Sequence, residues 1–403
     1  MRILGRALLL LFLSGLMLAA GAGVTSASPG VPGDGLGNGT TRISGADRYA
    51  TAIAISQNYA PGVPVVYVAT GSNYPDALSA APAAASQGGP LLLTLPDALP
   101  SSVRMELQRL SPQQIVVVGG PSAVGDAVYG QLEGLSSSVR RDSGVDRYST
   151  SRIVTERAFG VSGSSRVFIA TGENFPDALS ASAAAGASSS GVILVQGAAG
   201  SVDLATRGLL VTLRATAVSI AGGSAVVSDG IENSLRQLPA VTDVARLSGV
   251  DRYSTSLAIN RASFPSASRA FLAVGTGFAD ALAGAALAGA GGAPLYIIPG
   301  HCVPDSVLAE FSRMGVGSVV LLGGDQALAP AIGERLPCSQ YIPPAPPAPI
   351  LPPLSGNPGD SKNCSDFRTW AEAQAWFDRY FPLYGDVAKL DSDGDGIACE
   401  TLK

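Results

Sequence analysis

The sequence predicts an α/β protein: three tandem three-layer domains, each a parallel sheet covered by helices on both faces, followed by a small separate C-terminal domain. Three observations predict it. The phrase R-x-S-G-x-D-R-Y occurs at Arg42 (RISGADRYATA), Arg141 (RDSGVDRYSTS) and Arg246 (RLSGVDRYSTS), and its aspartates Asp47, Asp146 and Asp251 stand 99 and 105 residues apart. That period belongs to whole domains, not to solenoid units. Two further landmarks follow each phrase in the same order: PDAL or ADAL (Pro75, Pro176, Ala279), then an apolar run closing on two glycines, from Ile115, Ala217 and Ser318. Between the landmarks, short β-branched or leucine-rich runs alternate with longer alanine-rich ones, the pattern of parallel strands separated by helices.

Met1 to Ala27 carries Arg2 and Arg6, an apolar run from Ala7 to Ala22 and small residues at Thr25-Ser26-Ala27, which predicts a secretory signal peptide over 1–27. The run is short of the ~20 residues a membrane span needs, so no span is expected after cleavage. A linker is expected over 28–41, and the copies over 42–140, 141–245 and 246–338. In the first copy DRYATAIAIS, DALSAAPAAA and SVRMELQRL read as helices, and VVYVAT, PLLLT and IVVVGG as strands. After Cys338 the composition shifts. YIPPAPPAPILPPL, Tyr341 to Leu354, cannot sustain sheet or helix hydrogen bonding, so within a proline-rich linker over 339–356 it is expected to form a polyproline II spacer. Its fourteen residues could reach some 40 Å at ~3.1 Å each. The tail, 357–403, is compositionally separate: the lysines, Lys362, Lys389 and Lys403, all lie in it.

Charge and rare residues exclude several functions. The formal net charge is −5, and more negative once Arg2 and Arg6 are removed, which argues against nucleic acid as the main partner. Export makes the four cysteines candidates for disulfides. Cys302 and Cys338 lie in one region and Cys364 and Cys399 in another, so two local bridges are the simplest of the three connectivities. There is a single histidine, His301, in the third copy alone. Zinc hydrolases usually need two or more, and serine or cysteine hydrolases usually need one to activate the nucleophile. A glycosidase working through two carboxylates remains chemically possible, with Asp76 and Asp177 as candidates.

Two readings of the repeated phrase stand side by side. Asp47, Asp146 and Asp251 each stand at a helix start, where a carboxylate accepts backbone N–H bonds and faces the positive end of the dipole. Tyr49 with Ile53, and Tyr253 with Leu257, face inward at i+4 spacing, whereas Arg152 follows Tyr148 at that spacing. The functional reading rests on the arginines. Every basic residue of the copies is arginine, suited to bidentate phosphate or carboxylate recognition; a genome rich in G and C gives the same bias. The second landmark is placed for binding: in VVYVATGSNYPDAL and VFIATGENFPDAL a strand runs into a glycine loop and then a helix opening with Pro and Asp (Asp76, Asp177), and ligands of open parallel sheets sit beyond such strand ends. In FLAVGTGFADAL, Val274, Gly277 and Ala279 replace Thr, Asn and Pro, so a site there is expected to be altered or lost. No phosphate-binding glycine pattern is present.

These three ordered landmarks, in three copies behind a signal peptide, resemble the second type of cell wall binding repeat of Gram-positive bacteria, from Arg42 to about Leu336. The resemblance implies three domains about a pseudo-threefold axis that hold a secreted protein non-covalently to anionic wall polymers, teichoic-acid-like or other wall glycans. Three weak sites on one body multiply through effective concentration. Arg48, Arg147 and Arg252, with Asp76 and Asp177, are then the candidates for polymer binding.

In the tail, DSDGDGIACE sets Asp391, Asp393 and Asp395 on alternate positions, then Gly396, then Glu400. Oxygen ligands at positions 1, 3 and 5 followed by a glycine open an EF-hand calcium loop, here shortened because its glutamate falls at position 10 instead of 12. The tail is similar to the extracellular calcium-binding domain called excalibur, whose signature D-x-D-x-D-G-x-x-C-E is met from Asp391 to Glu400. That resemblance implies calcium held by Asp391, Asp393, Asp395 and Glu400, with a backbone carbonyl near Ile397, and a Cys364–Cys399 bridge tying the loop to a helix whose face carries Phe367, Trp370, Ala373 and Phe377. So small a core needs such staples. The expected protein is thus a non-catalytic, secreted, wall-associated binder. An adhesin or scaffold displaying the tail to a protein partner is the alternative.

Overall fold

In the computed structural model, residues 34–37, 39–343 and 356–402 are described. The expected signal peptide and most of the proline-rich spacer lie outside them. The first copy contributes β1 (Asp34–Gly37), β2 (Thr40–Ile43), α1 (Arg48–Ser56), β3 (Val65–Thr70), α2 (Pro75–Ser86), β4 (Leu91–Thr94), α3 (Ser101–Leu110), β5 (Gln114–Val118) and α4 (Asp126–Glu133). The second gives β6 (Val139–Asp142), α5 (Arg147–Phe159), β7 (Arg166–Thr171), α6 (Pro176–Ala187), β8 (Gly191–Val195), α7 (Leu204–Thr212), β9 (Ala217–Ala221) and α8 (Asp229–Arg236). The third gives β10 (Asp243–Leu247), α9 (Arg252–Ser263), β11 (Arg269–Val274), α10 (Ala279–Ala290), β12 (Leu295–Ile298), α11 (Asp305–Met314), β13 (Ser318–Leu322) and the short α12 (Pro330–Gly333). The alternation read from the sequence is therefore what folds, and β3, β4, β8 and β12 are buried along their whole length, as two covered faces require.

The sheets do not coincide with the copies. Their orders are β4-β3-β5-β6, β8-β7-β9-β10 and β12-β11-β13-β2, with β1 added antiparallel outside β2. Each sheet thus takes three strands from one copy and its last from the next, and β2 closes the circle by completing the sheet of the third copy, pairing in parallel with β13 from Thr40 against Val319 to Ile43 against Leu322. The arginine that opens each copy, Arg42, Arg141 or Arg246, lies inside this exchanged strand. The helix that follows packs on its own copy's sheet, α1 on β4, α5 on β8 and α9 on β12.

The alanine-rich α2, α6 and α10 pack against one another at the centre. Only small residues allow this approach. A Cβ on Gly289 would stand 3.0 Å from the Cα of Gly186, and one on Gly186 would stand 2.8 Å from the Cβ of Ala85, so each helix supplies a minimal surface at the meeting point. At their N-terminal ends the rings of Tyr74, Phe175 and Phe278 form a nearly equilateral triangle with centroids 5.4, 5.7 and 5.8 Å apart, which marks the pseudo-threefold axis. The serines below them record the same symmetry with one departure. Ser79 bonds Ser151 at 2.9 Å and Ser180 bonds Ser256 at 2.7 Å, whereas the third junction holds buried Ala283 and Ala52.

The tail is a second unit. Its α13 (Trp370–Tyr384) buries Ala373 and Phe377 against Ala388, Leu390 and Ala398. Phe367 and Trp376 flank this core; Trp370, expected on the same face, is the first residue of the helix and does not stand among them. Both expected local bridges are present, Cys302–Cys338 and Cys364–Cys399.

Candidate functional site

The aspartate, both arginines and the tyrosine of the repeated phrase each have a structural task. The aspartates cap the helix: Asp47 Oδ1 accepts from Ala50 N at 2.8 Å, and Asp146 and Asp251 accept from Ser149 N and Ser254 N at 2.7 Å in capping boxes. The arginines lash the loop of the second landmark. Arg48 donates to Gly71 O, Arg147 to Gly172 O at 2.6 Å, and Arg252 to Gly275 O. The tyrosines lie on those same glycines, so that a Cβ there would come within 2.6–2.7 Å of a ring carbon. Tyr148 packs on the core like Tyr49 and Tyr253, and the arginine that follows it, Arg152, turns outward to Asp203 at 2.9 Å.

The first arginine of the phrase does as much and was not among the candidates. Arg42, buried at 8 % exposure, donates to Gly323 O at 2.7 Å and Leu328 O at 2.8 Å, carbonyls of the third copy. Arg141 donates in the same way to Gly119 O and Val124 O, and Arg246 to Gly222 O and Val227 O. The signal was on the page: a cation inside a short strand, in the same place three times, needs fixed acceptors. The phrase is the joint between copies.

At that joint lies a pocket, and the candidates meet in it across copies. Asp76 shares one with Arg147, Asp177 one with Arg252, and Asp280, absent from the sequence-derived candidates, one with Arg48. Each pocket opens at the C-terminal ends of the strands. Each carboxylate presses against the first glycine of the closing pair, Gly119, Gly222 or Gly323, whose φ of 103°, 112° or 107° favours glycine; a Cβ there would stand 2.4–2.7 Å from a carboxylate oxygen. Burial raises Asp76, Asp280 and, to about 6, Asp177, with the neighbouring arginine acting in the opposite sense. A carboxyl held above its ordinary value binds protons more readily folded than unfolded, so its contribution to stability is fully present below the unfolded value and is lost as pH rises through about 6. Asp177→Asn is therefore expected to remove roughly 3 kcal/mol of the parent's loss of stability between about pH 4 and 7. Denaturant titration of parent and variant across that range measures it; superimposable pH profiles would contradict it.

The third junction is altered, as expected, but it is not lost: it is the widest, at about 540 Å³ against 220 and 210 Å³. Gly277 and Ala279 stand where Asn73 and Pro75, or Asn174 and Pro176, line the others, and small residues leave space. Asp76 and Asp177, the pair a glycosidase would need together, line different pockets. His301 stacks on Tyr341 at 4.3 Å.

In the tail, ligand oxygens of Asp391, Asp393 and Asp395 come within 4.8 Å of one another. Asp391 accepts from Gly394 N and Gly396 N, both at 2.8 Å, which curls the loop around the carboxylates. Glu400 lies outside the cluster: the chain turns at Cys399, φ 46°, into the short 3-10 turn that Glu400 begins. Gln374, unforeseen, clamps loop to helix by donating to Gly396 O at 2.9 Å and accepting from Ala398 N at 2.7 Å. A set of hard oxygen donors on a glycine-turned loop suits calcium.

The family model described as Cell wall binding domain 2 (CWB2) matches residues 42–129, 141–232 and 246–332, and that of the Excalibur calcium-binding domain matches 361–400. The chain is 26% identical over 299 residues to the N-acetylmuramoyl-L-alanine amidase LytC of Bacillus subtilis (strain 168), covering 74% of this chain and 58% of that protein. It is 27% identical over 304 residues to the Amidase enhancer of the same organism, covering 75% and 41%. Among solved structures, Cwp6 and Cwp8 from Clostridium difficile superpose with TM-scores of 0.68 and 0.67 at 25% identity, covering 74% and 75% of this chain and 48% and 52% of theirs. The chain spans about half the length of the relatives it matches.

Proposed function

The chain belongs to the cell wall binding domain 2 family, and on that premise we propose that it is an exported, non-catalytic protein that holds itself to a wall polymer through the three joints of its ring. The observation that carries this reading is the threefold recurrence of one pocket, lined by an arginine from one copy and a carboxylate from the copy before it. Three contacts on one body convert later binding events into intramolecular ones. The hydroxyl repeated beside each carboxylate, Thr51, Thr150 or Thr255, accepts from the N–H of Gly45, Gly144 or Gly249 and so holds the loop of the phrase itself, which favours recognition as the recurring chemistry. The amidase activity in one relative's name and the enhancement of an amidase in the other's belong to those proteins.

The tail adds calcium, held by Asp391, Asp393 and Asp395, the carboxylates that the loop gathers, with the Ile397 carbonyl beside them; Glu400, outside that cluster, joins as a donor only if the short turn it begins swings toward the ion. Calcium supplies charge neutralisation for the clustered carboxylates, which lets Gln374 and the Cys364–Cys399 bridge keep the loop closed on α13.

Replacing Arg48, Arg147 and Arg252 together with alanine is expected to weaken retention on purified Gram-positive walls by ~100-fold, the gain that linked sites forfeit. A pull-down isotherm measures it, with a melting curve to show that the variant folds. Unchanged retention by a folded triple variant defeats the reading.

A further inference from the structure

The three joints differ in a way that the wall-binding reading does not require. The pocket between the third copy and the first, about 540 Å³, falls within the size of sites that engulf a small molecule, and the other two, 220 and 210 Å³, fall below it. Three substitutions open it: Ala46 at the lip where Val145 and Val250 stand, Gly277 for asparagine, and Ala279 for proline. Two more enrich it. Asp325 and Gln326 line it, where the first copy has Pro121 and Ser122 and the second Ser224 and Ala225. Its charged lining is Asp47, Asp280 and Asp325 against Arg48 alone, and Asp325 is itself paired with Arg42 at 3.1 Å. Such a wall repels a phosphate or carboxylate pushed into it. It offers carboxylate and amide acceptors and a guanidinium donor to hydroxyl groups, which both give and take hydrogen bonds.

We infer that this closing joint is the selective pocket of the ring and receives one pyranose-sized, hydroxyl-rich sugar unit of the wall polymer, while the two narrow joints make shallower contacts that add avidity. The inference rests on the wall-binding reading and deepens it. It makes Gly277, Asp280, Asp325 and Gln326 specificity determinants.

Gly277→Asn tests it. A Cβ at this position meets only a Val274 methyl at 3.7 Å, an ordinary contact, and the backbone there is not left-handed, so the variant restores the residue of the other copies without strain. Retention of the full chain on purified walls is expected to weaken at least tenfold, the effective-concentration gain of one linked contact, with melting unchanged. Asn73→Gly, which widens a narrow joint, is expected to change retention less than twofold. The neutral-sugar fraction of a hydrolysate of the same walls is expected to elute the parent, and inorganic phosphate at matched ionic strength is not. Equal effects of the two variants, no effect of Gly277→Asn, or elution by phosphate or by neither competitor overturns the inference while leaving wall binding standing. Failure of the parent to be retained overturns the wall-binding reading, and this inference with it.

Discussion

Cutting the chain back to begin at Ser44 is expected to destabilise the ring by on the order of 5 kcal/mol. The loss comprises the ladder from Val319 N to Gly39 O and from Gly323 N to Ile43 O, both at 2.9 Å, the Arg42 bonds to Gly323 O and Leu328 O, and the burial of Ile43. The Arg42–Asp325 ion pair adds little, because Asp325 is 65% exposed. Five kcal/mol is a large share of a domain's stability, and corresponds to a fall in melting temperature of roughly 10 °C. The cut also bares β13 as an unpaired edge, which invites pairing with a second chain. Calorimetry and size-exclusion chromatography check both consequences. A truncated chain that melts with the parent and runs as the same species would show that the exchanged strand is decoration.

Calcium is expected to act on the tail alone, and strongly. At a hundredfold excess over its dissociation constant a ligand stabilises by about 2.7 kcal/mol, which for so small a unit is a rise of roughly 10 °C or more. In the full chain a calorimetric scan should therefore show the tail's transition move with calcium while the ring's stays. Asp391→Ala and Asp393→Ala should abolish the movement. Asp391 carries the larger effect, because its carboxylate also organises the loop through Gly394 N and Gly396 N. Identical scans in calcium and in chelator would refute the metal site.

The copies, their layers and the tail were legible because each rests on local pattern: alternating apolar runs, a helix cap three residues from its acceptor, carboxylates on alternate positions. What escaped was decided between copies. TTRI at Thr40 is too short to declare its partners, and nothing local in it says that it completes the sheet of residues almost three hundred positions later. The pairing of Asp76 with Arg147 instead of Arg48 follows from that exchange and was hidden with it. Gln374 escaped for a different reason: an exposed glutamine on a helix carries no pattern until the loop folds back onto it. Departure from the motif announced an altered third loop but not the direction of the change: Gly277 and Ala279 there, with Ala46 from the first copy, are smaller than their counterparts and leave room.

Because the first strand finishes the last sheet, the number of copies is fixed by geometry. A stacked array can grow by duplication, each new unit resting on the one before; here an added copy would find the place beside β13 already taken by β2, and a missing one would leave a sheet without its last strand. Natural variation in grip must then come from exchanging residues within a joint or from stringing whole rings together, and a permuted chain that starts just ahead of β6 or β10 should close into the same body.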